Sequence, residues 1–314
     1  TTAVGYKALN VQNTASASYN VAVGYDAGLN VTTGVNNVIV GGRAGDALTT
    51  GAYNIAIGYS ALSTEDTGGT SIGIGYYALQ SQNNASNNYN VAIGHSAGAE
   101  VSTGQQNTII GGLAGDALTT SSGITAVGYG ALSASSTGQF NTAVGFEALM
   151  TTVDGDNNTA VGYQALRLFE HSDAEGYNVA IGSTALAALT TGVQNVVVGA
   201  SAGVAMTTGS KNILIGQAGG ALVEGGMNVA IGYRALNTEN AHGRNTAIGH
   251  EALLTLDAGA DAYNIAIGYD VGKLLTTGVR NTIMGGGHAG AALTTGSYNV
   301  ALGYGTLQSE DAHG

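Results

Sequence analysis

The side chains of this chain that could take part in a reaction are a few close carboxylate pairs and six histidines. Asp154 and Asp156, Glu65 and Asp66, and Asp257 and Asp261 have the spacing from which a glycan-cleaving acid and base could be drawn. Such a site needs two carboxyl groups facing one groove. Each pair falls in a polar turn, and no acid recurs opposite it on the neighbouring repeats, so we read them as solvated turn residues. The histidines, His95, His171, His242, His250, His288 and His313, show no metal-ligand spacing. His95 and His250 stand in a slot that other repeats fill with Tyr. No catalytic residue, metal or cofactor is expected.

The tyrosines offer more. Tyr25, Tyr59, Tyr76, Tyr129, Tyr163, Tyr233, Tyr269 and Tyr304 recur at one offset, and Tyr89 and Tyr177 close two long loops. Exposed rings beside amide side chains make stacking platforms for sugars. The same rings could instead cover strand ends and stack on one another.

What must position these residues is a repeat. The five residues Asn20-Val21-Ala22-Val23-Gly24 return, with variation, eighteen times, each copy closing on a glycine from Gly5 to Gly303. Most of these glycines lie 17 residues apart, with extremes of 16 and 20. A fixed period held from end to end means one supersecondary unit stacked on itself. The expected fold is all-β: a parallel β-solenoid or β-roll of about eighteen coils, at roughly 4.8 Å per coil a rod of about 85 Å. Residues 1–314 are expected to form a single continuous segment, with sub-blocks opening near 20, 90, 178 and 264.

Positions within a coil are counted from its closing glycine. An Asn stands at −4 in fifteen coils: Asn20, Asn37, Asn54, Asn90, Asn107, Asn141, Asn158, Asn178, Asn195, Asn212, Asn228, Asn245, Asn264, Asn281 and Asn299. A ladder of side-chain amides, bonded to one another or to turn backbone, is expected there. Positions −3 and −1 are aliphatic and −2 is usually Ala, the period-two alternation of a short strand. The larger pair is expected to face the interior and Ala to face outward, where another chain packs closely. The Tyr-x-Ala-Leu segments that follow, and runs such as Ala185–Leu189, are read as strand, because a 17-residue unit has no room for a capped helix. A Thr-Thr-Gly turn often leads to the next Asn.

Composition limits the remaining choices. The chain has 52 Gly, no Pro, no Cys, 44% hydrophobic and only 9% charged residues. Disorder needs fewer apolar and more charged residues than that. Eight Lys and Arg in a chain of net charge −12 cannot build the basic stripe that nucleic acid requires. No apolar run approaches the ~20 residues of a membrane span. Glu310–Gly314 repeats the pattern of Glu239–Gly243, from which the coils are expected to continue beyond both ends, in a longer chain or by head-to-tail stacking.

The Asn-x-Ala-Ile-Gly core, as in 54–58, 90–94, 178–182 and 264–268, resembles the head repeat of trimeric autotransporter adhesins. Combined with Tyr-x-Ala-Leu and Thr-Gly turns, as in 137–149, it looks still more like repeat regions of bacteriophage tail fibres. The resemblance covers the whole chain, with a unit longer than that of the adhesin heads. It implies three chains side by side and a role in attachment. The expected function is a stiff extracellular fibre shaft, most like a phage tail fibre, with a bacterial surface adhesin or self-stacking filament as alternative and a glycan depolymerase as a remote one. Its partners would be copies of itself and a host-surface glycan. Gly41–Asp46 and Gly111–Asp116 are similar to calcium-binding nonapeptide repeats, but equivalent coils carry Val204 and Ala291.

Overall fold

A computed structural model describes residues 1–14, 17–170 and 175–309. His171, His313 and the closing 310–314 stretch lie outside the described residues. These residues form eighteen strands of three residues each, from Thr2–Val4 to Val300–Leu302, and no helix. They cluster into two compact units, 1–157 and 158 onward, with nine strands in each. In each unit every strand pairs with the next in parallel and in register; Ile55, Ala56 and Ile57, for example, stand beside Ile72, Gly73 and Ile74. The fold is a parallel β-solenoid with one strand per coil.

Glycine ends each strand because nothing else fits. Gly24 has φ +142°, and a Cβ there would come 2.5 Å from the carbonyl oxygen of Gly41 in the next coil. Gly58, at φ +131°, meets the carbonyl of Gly75 in the same way. The conformation and the close approach both exclude a side chain.

The alternation within the strand faces opposite to expectation. Ala22, Ala56, Ala92 and their equivalents at −2 are fully buried, while the residues at −3 and −1 are half-buried or exposed. The coil is too narrow to hold two large side chains from each strand, so one small inward residue per strand fills it. The expectation of three chains packed on the Ala face therefore loses its footing, because Ala lines the core.

The second side of the coil is not strand either. After the glycine the chain runs through turns in which φ changes sign at alternate residues: Asp26 and Gly28 are left-handed, as are Ser60 and Leu62. The amides consequently point up and down the stack by turns. Asp26 N–H donates to the Tyr6 carbonyl of the preceding coil at 2.9 Å, and Gly28 N–H to the Ala44 carbonyl of the following coil at 2.9 Å. Backbone groups are thus satisfied between coils without an extended chain.

The core has two interchangeable solutions. With Ala at −2 a Leu at +4 can fill the coil, as with Ala56 and Leu62 or Ala143 and Leu149, although Ala22, Ala92 and Ala266 are followed by Gly at +4 and by Val31, Val101 or Leu275 at +7. Where −2 is Ile39 or Ile109, +4 is Gly and Leu48 or Leu118 at +7 takes over; beside Leu214 the buried residue is Leu222, at +6. The glycines make room for the large neighbour; a Cβ on Gly28 or Gly98 would come 2.9 Å from the Cδ1 of Ile39 or Ile109.

The Asn residues at −4 from Asn20 to Asn281 are buried, and most clamp the coil that follows. Asn37 accepts through Oδ1 from the N–H of Asn54 at 2.8 Å and donates through Nδ2 to the Gly51 carbonyl at 2.8 Å. The pattern repeats at Asn20, Asn178 and Asn264. At Ser71 and Ile124, where Asn is missing, the backbone N–H still donates to the preceding Asn, but the outgoing clamp is lost.

Two glycine substitutions separate conformation from space. Gly58→Ala is expected to cost about 3 kcal/mol in chemical denaturation, since both φ and the carbonyl contact oppose it. Gly42→Ala, whose Cβ would meet only the Tyr59 ring at 3.4 Å, should stay within about 0.5 kcal/mol of the parent.

Candidate functional site

With Ala turned inward, the outward face of the sheet carries two files of aliphatic residues. Val23, Ile93 and Ile110 in the first unit, and Ile181, Val196, Ile213, Ile215 and Ile265 in the second, are each a third or more exposed. Thr108, Thr125 and Thr142 interrupt one file with a hydroxyl and a methyl each. Scattered apolar residues on a surface need no explanation, but an aliphatic file repeated from coil to coil does.

One flank of this strip is the tyrosine slot at +1. Its rings stack from coil to coil: Tyr6 on Tyr25 at 5.1 Å, Tyr59 on Tyr76 at 5.6 Å, and Tyr76 on His95 at 5.1 Å. Tyr129 stacks on Phe146, and His250 lies between Tyr233 and Tyr269. Where the neighbouring slot is glycine the ring lies against backbone, as Tyr59 does at Gly42 and Tyr129 at Gly112. Ring faces that a sugar would use are therefore taken by the next coil, and edges and hydroxyls remain exposed. Tyr163 and Tyr304 are exposed in the same slot.

The other flank, at −5, is a second aromatic file that the repeat spacing did not single out as a set. In the first unit it reads Tyr19, Asn36, Tyr53, Thr70, Tyr89, Gln106, Gly123 and Phe140, an aromatic residue on alternate coils as far as Tyr89 with an amide or hydroxyl between. These residues are left-handed, Tyr53 at φ +62° and Phe140 at +56°, and the N–H groups of Asn36, Tyr53, Thr70, Gln106, Gly123 and Phe140 are held by carbonyls of the preceding coil. Their rings stand free of one another: Tyr53 is 62% exposed. In the second unit the file holds Tyr177, Lys211, Met227, Arg244, Tyr263, Arg280 and Tyr298. Arg244 and Arg280 both lie over the Tyr263 ring, at 5.4 and 5.8 Å. A shallow groove of about 300 Å³ beside Lys211, Met227, Arg244 and Asp261 opens on this flank. A left-handed non-glycine residue carries no signature in one sequence, which is why only the Tyr members that close long loops stood out.

The charged groups are sorted by the stack. Glu251 is bridged by Arg234 at 3.0 Å and by Lys273, which also reaches Asp270 at 3.5 Å. The Lys273 ammonium holds the Glu251 carboxyl below its usual range, against a smaller opposing effect of desolvation. Asp261 pairs with Arg244 at 2.7 Å, and Asp156 accepts from the Gln139 amide at 2.6 Å. Glu65 corrects the turn reading: its side chain is fully buried at +7, and burial raises its carboxyl above the ordinary value. Its Oε1 accepts from Gly68 N–H at 2.7 Å, and its Oε2 from Gln82 at 2.8 Å and Asn88 at 3.1 Å. Asp46 and Asp116, of the two Gly-Gly-x-Ala-Gly-Asp turns, are also raised by desolvation, first of all causes.

No family model, no curated protein and no solved structure matches this chain.

Two consequences are measurable. Tyr59→Ala should lower stability by about 1–2 kcal/mol through loss of its stacked neighbours, whereas Tyr53→Ala on the free file should change it by less than about 0.5 kcal/mol; thermal melting of both variants checks this. The depressed Glu251 carboxyl stabilises the fold above the ordinary Glu value, and this contribution is lost as pH falls through its lowered pKa. Lys273→Met should therefore move the Glu251 titration upward in carboxyl NMR and shrink the acid-side loss of stability.

Proposed function

We propose that this chain is a structural and attachment protein: a stiff segment of an extracellular fibre, assembled side by side from copies of itself. One observation carries the reading. Each unit presents on the outward face of its sheet an aliphatic residue at −1 on every coil, beside a file of Val, Ile and Thr at −3, all of them half-buried or exposed. Nine strands at about 4.8 Å, taken across the strip and its flanks, give a face of roughly 700 Å² per unit and copy, close to what a standard interface buries. A second copy of the chain is the partner that fits best, because its own strip has the same rise per coil. The resemblance to phage tail-fibre and adhesin repeats favours three chains and a virion or cell-surface setting. Attachment falls to the −5 file of the first unit, where Tyr19, Tyr53 and Tyr89 alternate with amides and a hydroxyl in an arrangement that suits a host-surface glycan; the stacked +1 file does not offer its ring faces.

The test is the oligomeric state. Sedimentation equilibrium of the native protein should give a multiple of the 31.0 kDa chain mass. Ile93→Lys and Ile181→Lys, at positions already exposed in the single chain, should dissociate it while leaving thermal unfolding of the chain cooperative. A native protein that sediments as one chain at every concentration overturns the proposal.

A further inference from the structure

The buried position +7 holds an anomaly in the second unit. Five coils place a fully buried polar side chain there: Glu65, Gln82, Ser135, Thr152 and Glu239. Only two of these are acids, and the chain treats them differently. Glu65 has every donor it needs, as described above. Glu239 occupies the same place in a coil of the same type and is likewise fully buried, but its surroundings have changed. The residues that stand where Gln82 and Asn88 supply amides to Glu65 are, around Glu239, the buried apolar Leu256 and Ala262. Oε1 keeps one bond, from the His242 N–H at 3.3 Å. Oε2 is buried and completes no hydrogen bond among the described residues. A buried carboxylate oxygen without a partner costs on the order of 1–3 kcal/mol, so such an oxygen calls for a partner that the chain does not supply.

What has been placed beside it is a second ligand set. His242 Nδ1 is also buried and unpartnered, 3.8 Å from Glu239 Oε1, though the side chain as a whole is 32% exposed. Asp257, exposed and from the next coil, completes a group whose ligating atoms all lie within 4.8 Å of one another. We propose that Glu239, His242 and Asp257 bind a divalent first-row transition metal, Zn²⁺ being the representative ion. One imidazole nitrogen and two carboxylate oxygens at ~2.0–2.2 Å form the three-ligand, open-position set that such ions accept. A contraction of about 1 Å brings the three atoms to that distance, and the exposed Asp257 side leaves the fourth position to water. Calcium would favour an all-oxygen shell.

The neighbouring group of His250, Glu251 and Asp270 shows the contrast. It has the same residue types within the same span, but Lys273 and Arg234 already supply the positive charge there. At Glu239 no Lys or Arg forms an ion pair among the described residues. The two carboxylates and histidine were not visible as a set in the sequence, because Asp257 reaches the other two only through the stacking of coils.

Untagged native protein, stripped of metal and titrated with CoCl₂, should develop visible d–d absorption that saturates at one ion per chain, and ZnCl₂ should displace it. Asp257→Asn, at an exposed residue, and His242→Ala should each weaken Co²⁺ and Zn²⁺ binding by more than about tenfold, the least that loss of a supporting partner already costs a metal site. His250→Ala should leave both titrations unchanged. Absence of Co²⁺ absorption together with absence of Zn²⁺ heat in calorimetry overturns the assignment, as does binding that survives His242→Ala or vanishes in His250→Ala.

Discussion

Every coil of this protein hands its unsatisfied backbone groups to the next. A three-residue strand cannot bond to itself, and a turn with alternating φ cannot either, so the energetic unit is the pair of adjacent coils. The narrow cross-section follows from that demand. Closing glycines bring successive backbones close enough to bond all the way round, and the cost is a core one side chain thick.

A core so thin cannot tolerate independent choices. An Ile at −2 is accommodated because glycine stands at +4 in its own coil and in the coil before it, as Gly45 and Gly28 do around Ile39. Shape is therefore conserved as a sum over neighbouring coils while individual positions vary. The same economy sends the larger aliphatic residues outward and leaves the chain with an apolar exterior that most monomers avoid.

Much of this architecture was legible in the residues. The period, the parallel register and the glycine at each strand end follow from Asn-x-Ala-Ile-Gly recurring at a nearly constant spacing. The facing of the strand was not, because Val-Ala-Val alternates equally well either way, and only the coil diameter decides that Ala22 belongs inside. Turn or strand for Tyr-x-Ala-Leu was equally hidden: the left-handed φ of Ser60 and Leu62 leaves no trace in residue type. Glu65 reads as a turn acid beside Asp66 until the next coil brings Gln82 over it. Such pairings depend on which residue lies one coil away, and insertions that shift the spacing from 17 to 19 or 20 obscure that relation.

The asparagine clamps all point one way. Their Oδ1 atoms accept the backbone amide of the coil that follows, as at Asn178 and Asn264, and where an Nδ2 reaches back, as from Asn195 to Asn178 or from Asn281 to Asn264, it adds a second hydrogen bond to that same acceptor. The stack is consequently a vector, with donors and acceptors arranged like a hook on one cross-section and an eye on the opposite one. Two such cross-sections can be mated only when the hook of one meets the eye of the other, so any lengthening through these side chains preserves a single direction of travel.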